Sequence, residues 1–340
     1  MKQNTNKSIK QSRLKQLGLM LCVLPHIVCA QEDIILFHNC ENLFYPTNDS
    51  LSQDDDFTIE GKKHWTFKRY KDKLNSLAKT YMAVDESLPA IIGLAEVEND
   101  TVLEALTKAT SLRKAGYKYI HYPSKDIRGI DVALLYNPKK FEIIEHYILP
   151  SLSDKETDRT RDVLYVHGIL NKLELNIYVV HAPSRREHNI KLPLRKEICS
   201  QIYSHVQTLK AKSQENFLIM GDFNDNPWDE AVEDGFCLRK NAENPEPMLV
   251  DLMANNKQIT GSYVYSGTYL SFDQFIISRN LQKRIVYDEV FDKSHIFKPS
   301  FLVKQDPYTK IDVPFSTYKG YTYQGGISDH YPIILKLKTK

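Results

Sequence analysis

Asn216 to Asp229 read NFLIMGDFNDNPWD, an apolar run halted by a glycine and followed by a cluster of acids and amides. Asn216 to Met220 has the continuity of a buried strand that ends at Gly221. Asp222 and Asn224 stand two apart, so if the extended backbone continues, both side chains share one face at the carboxyl end of that strand. A carboxylate beside a carboxamide suits water and hard-cation chemistry. Asp accepts a proton or binds an ion, and Asn donates to an anionic oxygen. The same D-x-N spacing also makes an ordinary Asx turn, so other stretches must separate the two readings.

The 340 residues have the composition of a soluble globular protein, with room for one large α/β domain or two smaller ones and no repeat or low-complexity linker. The first thirty differ. Lys2, Lys7, Lys10, Arg13 and Lys15 precede an apolar run from Leu17 to Val28 that closes on Val28-Cys29-Ala30, the pattern of a secretory signal peptide cleaved after Ala30. The run is short for a bilayer span and holds Pro25 and His26, which favours cleavage over anchoring. Residues 31–340 are then one exported domain, periplasmic or secreted, with no transmembrane segment left and expected to be a monomer. Taking the leader's five basic residues from 45 leaves 40 against 43 acidic ones, a balance of −3. That excludes a globally basic nucleic-acid footprint, so a nuclease would need a local patch. The mature chain keeps Cys40, Cys199 and Cys237, an odd count that is no disulfide scaffold and shows no zinc spacing. Cys40 reads as a buried packing thiol.

Working outward, Asp33 to His38 (DIILFH) is a nearly continuous apolar strand that delivers Asn39, and Ala90 to Ala95 (AIIGLA) is a second that delivers Glu96. Arg69 to Val84 carries apolar residues at helical spacing, and Asn99-Asp100 caps a helix from Thr101 to about Thr110. Val132 to Tyr136 is a third strand, preceded by Arg128 and Asp131 around a glycine. That Arg either takes phosphate or pairs with Asp131. Val163 to Leu170 and Leu173 to His181 form a hairpin around Asn171-Lys172 and end at His181. Leu192 to Lys212 is a helix. Strands from Phe272 to Ile277 and from Tyr331 to Leu337 bring Asp273 and the preceding Asp329-His330. Five separate strand ends thus deliver Asn39, Glu96, His181, Asp222 with Asn224, and Asp329 with His330. Turn formation alone does not explain that repetition.

The ordered stretches HNCENLF, LAEVEND, RGIDVALLY, VVHAPS, IMGDFND, FDQFIIS and GGISDHYP resemble the endonuclease/exonuclease/phosphatase superfamily, the group of deoxyribonuclease I-like enzymes. The resemblance implies an α/β four-layer sandwich of two packed mixed β-sheets flanked by helices, with the site at one edge. It implies Mg²⁺ or Mn²⁺ at Glu96, with Asn39 and Asp329 nearby. It implies that Asp222 aligns or deprotonates water, that Asn224 steadies phosphoryl oxygens, and that His181 and His330 contact the phosphate, His330 being oriented by Asp273. A nearby carboxylate would let both histidines be charged donors. Arg128 is the candidate substrate contact. The expected activity is a phosphodiester-cleaving endonuclease on nucleic acid, with a phosphomonoesterase or a lipid phosphodiesterase of the sphingomyelinase or inositol-phosphatase kind as the alternative. Ile130-Asp131 after Arg-Gly departs from the abasic-site enzymes. The tyrosines between Ser262 and Leu270 either stack on bases or pack locally.

Overall fold

A computed structural model describes residues 31–339 except 51, 152–158, 186–188, 241, 243–244, 256–259 and 288–294. The leader expected at residues 1–30 lies outside the described residues. In chain order the elements that position the site are β1 (Glu32–Leu43), α1 (Phe67–Met82), β2 (Ile91–Val97), α2 (Asp100–Lys108), β3 (Lys118–His121), β4 (Asp131–Tyr136), β5 (Phe141–Leu149), β6 (Val163–Leu170), β7 (Leu173–His181), α3 (Leu192–Lys210), β8 (Phe217–Asp222), α4 (Glu230–Gly235), β9 (Leu249–Asp251), β10 (Tyr263–Tyr265), β11 (Thr268–Leu270), β12 (Asp273–Ser278), α5 (Arg279–Gln282), β13 (Val303–Gln305), β14 (Asp312–Pro314), β15 (Tyr318–Lys319), β16 (Thr322–Tyr323) and β17 (Ile333–Lys338).

Two mixed sheets carry the fold, one ordered β17-β1-β2-β4-β3 and the other β5-β6-β7-β8-β12-β9. Side chains alternate between two cores, as strand geometry requires. On β8, Leu218 and Met220 enter the core between the sheets, while Phe217 and Ile219 face α3 with Ile198, Ile202 and Val206. On the outer side of the first sheet, α1 and α2 bury Leu74, Leu77, Tyr81, Leu103 and Leu106. The layers are therefore helix, sheet, sheet, helix: the expected four-layer sandwich. The sheets approach closely at Gly93, where a Cβ would come within 2.8 Å of the Met220 side chain.

Each sheet contains one parallel pair, β1 with β2 and β7 with β8. Both strands of a parallel pair end at the same edge, which is where ligands bind in open α/β sheets. In the second sheet, register sets His181 beside Asp222 and Asp222 beside Asp273 across β7, β8 and β12. In the first, the pairing of β1 with β2 breaks between Asn39 and Leu43, and that of β2 with β4 breaks between Ala95 and Val97. Bulges of this kind re-aim side chains beside active sites.

Candidate active site

The bulges place the backbone in the left-handed region, with φ of +50° at Glu41, +55° at Asn42 and +60° at Glu96. Non-glycine residues hold that conformation only when their surroundings fix it. Here the bonds that fix it reach the candidate ligands. The Glu41 N–H donates to Asn39 Oδ1 at 2.9 Å, and the Asn42 N–H donates to Glu96 Oε2 at 2.8 Å. Asn39 Nδ2 donates to Asp222 Oδ2 at 3.0 Å, joining the two sheet ends.

Asp222 is the convergence point. Its Oδ1 accepts the Asn224 N–H at 2.9 Å, while Oδ2 lies 3.7 Å from His181 Nε2 and 3.8 Å from His330 Nε2. Burial raises its carboxyl to about 6, against the opposing charge of His330. Asn224, at φ +51°, donates through Nδ2 to Ala182 O at 3.0 Å. Asp222 and Asn224 thus form both an Asx-type turn and part of the cleft, so the two readings of D-x-N are the same geometry.

The two histidines differ in charge. Burial, with the charges of Arg161 and Arg128, holds His181 well below the usual imidazole range. It is therefore neutral, and its Nε2 faces both Asp222 and Glu96 Oε1, the latter at 3.8 Å. This corrects the expectation of two charged donors. Burial also opposes charge on His330, but Asp273 outweighs it. His330 Nδ1 donates to Asp273 Oδ2 at 2.6 Å, and Asp222 and Asp329 add to the pull, so its pKa stands well above the usual value. Tyr263 of β10 stacks on the His330 ring with centroids 4.7 Å apart.

Arg128 does not pair with Asp131. It lies 3.8 Å from Glu96 Oε1 and 3.7 Å from Asp126 Oδ1, whereas Asp131 is taken by His121 and by the Ser124 N–H. A cleft of about 780 Å³ brings together all the site residues expected from sequence except Asp273, which sits behind His330. The sequence reading missed Arg185 and Arg161, whereas Tyr263 is one of the tyrosines between Ser262 and Leu270 that it left between stacking and packing. Arg185 lines the cleft, donates through Nε to Asn224 O at 2.6 Å, and is paired with Asp225 and Asp229. Arg161 is buried and donates to the carbonyls of His181 and Ala182.

A model of the Endonuclease/Exonuclease/phosphatase family matches residues 34–339. The chain belongs to that family. Endonuclease/exonuclease/phosphatase proteins are phosphoester hydrolases, and the site is built from residue types that such a hydrolysis needs. Similar solved structures include a family protein from Bacteroides thetaiotaomicron (16% identity, covering 90% of this chain and 95% of that one, TM-score 0.54). Truncated TDP2 from Caenorhabditis elegans is 16% identical, covering 90% and 97%, at TM-score 0.55. The mannosyl-6-phosphatase of Bacteroides thetaiotaomicron is 16% identical, covering 89% and 98%, at TM-score 0.53. At these identities the likeness is one of fold. No curated protein matches the sequence.

Family members are typically divalent-metal dependent, and two groups of residues bear on where an ion would sit. Asp222, Asp273 and His330 present ligand atoms within 4.8 Å of one another. The 2.6 Å bond already ties His330 Nδ1 to Asp273 Oδ2, and a charged imidazole has no lone pair for an ion. The oxygen-only set of Glu96, Asp329 and Asn39 is chemically better suited to Mg²⁺ or Mn²⁺. Burial and the like charge of Glu96 raise the Asp329 carboxyl, the strain expected of acids grouped around a place for a cation.

Proposed function

We propose that the protein is an exported, divalent-metal-dependent phosphodiesterase that cleaves nucleic acid endonucleolytically after removal of a leader ending at Ala30. The observation that carries the reaction is that the Asp222 carboxylate, its pKa raised toward neutrality, faces a charged His330 and a neutral His181. Glu96, Asp329 and Asn39 would hold a Mg²⁺ or Mn²⁺ ion, which would supply positive charge against the negative charge that develops on the phosphoryl oxygens.

The chain's own residues supply the rest. Asp222 has a pKa suited to general-base work near neutral pH, and it orients the water and accepts its proton as the new P–O bond forms and the ester bond opposite breaks. His330, kept cationic by Asp273, donates through Nε2 toward a phosphoryl oxygen, and His181 donates from the other side as a neutral imidazole. Arg128 at the cleft rim takes a phosphate oxygen.

Support for a nucleic-acid substrate comes from the cleft wall. The β10–β11 hairpin lines it with Tyr263 and Tyr265, and Tyr265 is 65% exposed, a surface on which a base can stack. A second reading, a phosphomonoesterase acting on a small ester, draws on Arg128 and Arg185 lining one cleft, a pair suited to a dianion. The test is a panel of plasmid, single-stranded oligonucleotide, sugar phosphate and sphingomyelin, each with Mg²⁺. Nicked plasmid with the other substrates intact supports the nuclease. Turnover of a monoester or lipid with intact plasmid overturns it.

A further inference from the structure

Lys73 lies on the buried face of α1, is 2% exposed, and has no part in the chemistry above. Its ammonium donates to two acceptors on different segments, the Glu41 carbonyl and Thr317 Oγ1, the latter at 2.7 Å. Each acceptor leads to a candidate cation ligand. Glu41 heads the left-handed turn whose N–H groups hold Asn39 Oδ1 and Glu96 Oε2. Thr317 Oγ1 passes a hydrogen bond on to the Ile327 carbonyl at 3.1 Å, two residues before Asp329, and Ser328 Oγ donates to Asn39 O at 2.6 Å. The Glu41 carboxylate closes the assembly from below by accepting the Thr317 and Tyr318 N–H groups at 2.6 and 2.9 Å.

We infer that Lys73 is a positioning residue: from α1 it clamps the Glu41–Asn42 turn to the Thr317–Ser328 segment, and so presets Asn39, Glu96 and Asp329 for a divalent cation. The inference rests on the cation reading of those three residues. It makes a prediction opposite in sign to simple electrostatics. A lysine beside acids repels an incoming cation, so its removal by charge alone would tighten binding. Loss of the clamp instead lets the left-handed turn relax and the ligand oxygens scatter, which weakens binding.

The experiment is calorimetric titration of Mn²⁺ into the full protein and its variants without substrate, with a thermal melt of each. Lys73→Met keeps the length and apolar stem, and Thr317→Val removes only the hydroxyl relay; both are expected to raise the Mn²⁺ Kd about 10-fold, while Thr317→Ser restores it. Leu77→Ala on the same helix controls for lost stability and should bind Mn²⁺ as the native protein does. Unchanged or tighter binding in Lys73→Met, or equal weakening in Leu77→Ala, overturns the clamp. A native protein that takes up no Mn²⁺ overturns the cation reading, and the clamp with it.

Discussion

The imidazole of His330 and the carboxylate of Asp273, 57 positions apart in the chain, share a 2.6 Å hydrogen bond at the edge where β12 begins and β17 is about to start. The bond fixes which nitrogen of His330 faces the cleft and keeps the ring charged. Asp273→Asn removes the charge that raises the His330 pKa, so the cationic form is lost at lower pH. The alkaline limb of the rate profile should then move to lower pH, with kcat down by roughly 10²-fold and the fold retained. The linkage has the same sign. A raised histidine pKa contributes stability that is complete below about pH 6.5 and fades as pH rises through the folded value. Pre-steady-state rates across pH, with thermal melts at matched pH, check this. Superimposable pH limbs with only a lower melting temperature would reduce Asp273 to a structural partner.

Asp222 governs the other limb. With its carboxyl raised by burial to about 6, kcat/KM should fall as pH drops below that value. Asp222→Asn should lower kcat by about 10²–10⁴-fold, because the amide keeps the shape but accepts no proton. A variant that keeps native turnover removes Asp222 from the reaction.

Asn224 separates backbone from side-chain effects, since its φ is +51°. Asn224→Gly and Asn224→Ala should lose turnover alike, because both lack the carboxamide. Only Ala should also lose stability, by about 1 kcal/mol, since glycine adopts left-handed backbone without a Cβ penalty. Equal melting temperatures for the two variants would contradict the observed conformation.

Asp251 at the end of β9 illustrates a stability cost away from the cleft. Its Oδ1 accepts the Met253 N–H at 2.7 Å, Oδ2 has no partner among the described residues, and burial pushes the carboxyl to about 8. The folded state therefore holds this proton where the unfolded chain, at an ordinary 3.8, has released it, and stability declines between about pH 4 and 8. Asp251→Asn should raise the melting temperature at pH 8 and leave it nearly unchanged at pH 4. A variant less stable than native at pH 8 would overturn the assignment.

The strands that carry the site were legible because buried central strands write continuous apolar runs, and the polar residues that end them stand out. β2, β7 and β8 were placed within two residues, β1 runs to Leu43, five residues past the His38 read as its end, and the Asn99 cap of α2 was placed correctly, its side chain accepting from Thr101 and Val102. Strands β3 and β5 were not seen. Both lie at sheet edges with mixed exposure, which blurs the alternation a strand otherwise shows. Partner choice was equally hidden: Arg128 sits three residues from Asp131 in sequence, yet bonds toward Glu96 and Asp126 because the loop turns it there. The protonation of His181 depends on burial and on Arg161, which only the fold brings close. Lys73 did leave a trace, a lysine falling on the Tyr70, Leu74, Leu77 stripe of an amphipathic helix, where a charge needs a reason to be.

The most direct test of the account is phosphodiester hydrolysis by native protein and by Glu96→Gln, measured with bis(p-nitrophenyl) phosphate and supercoiled plasmid in excess EDTA and then with Mg²⁺ restored. Native protein should turn over both substrates, with EDTA abolishing and Mg²⁺ restoring the activity, and Glu96→Gln should fold normally yet stay inactive at Mg²⁺ concentrations that saturate the native protein. Chelator-resistant turnover, or full activity in Glu96→Gln, would contradict it.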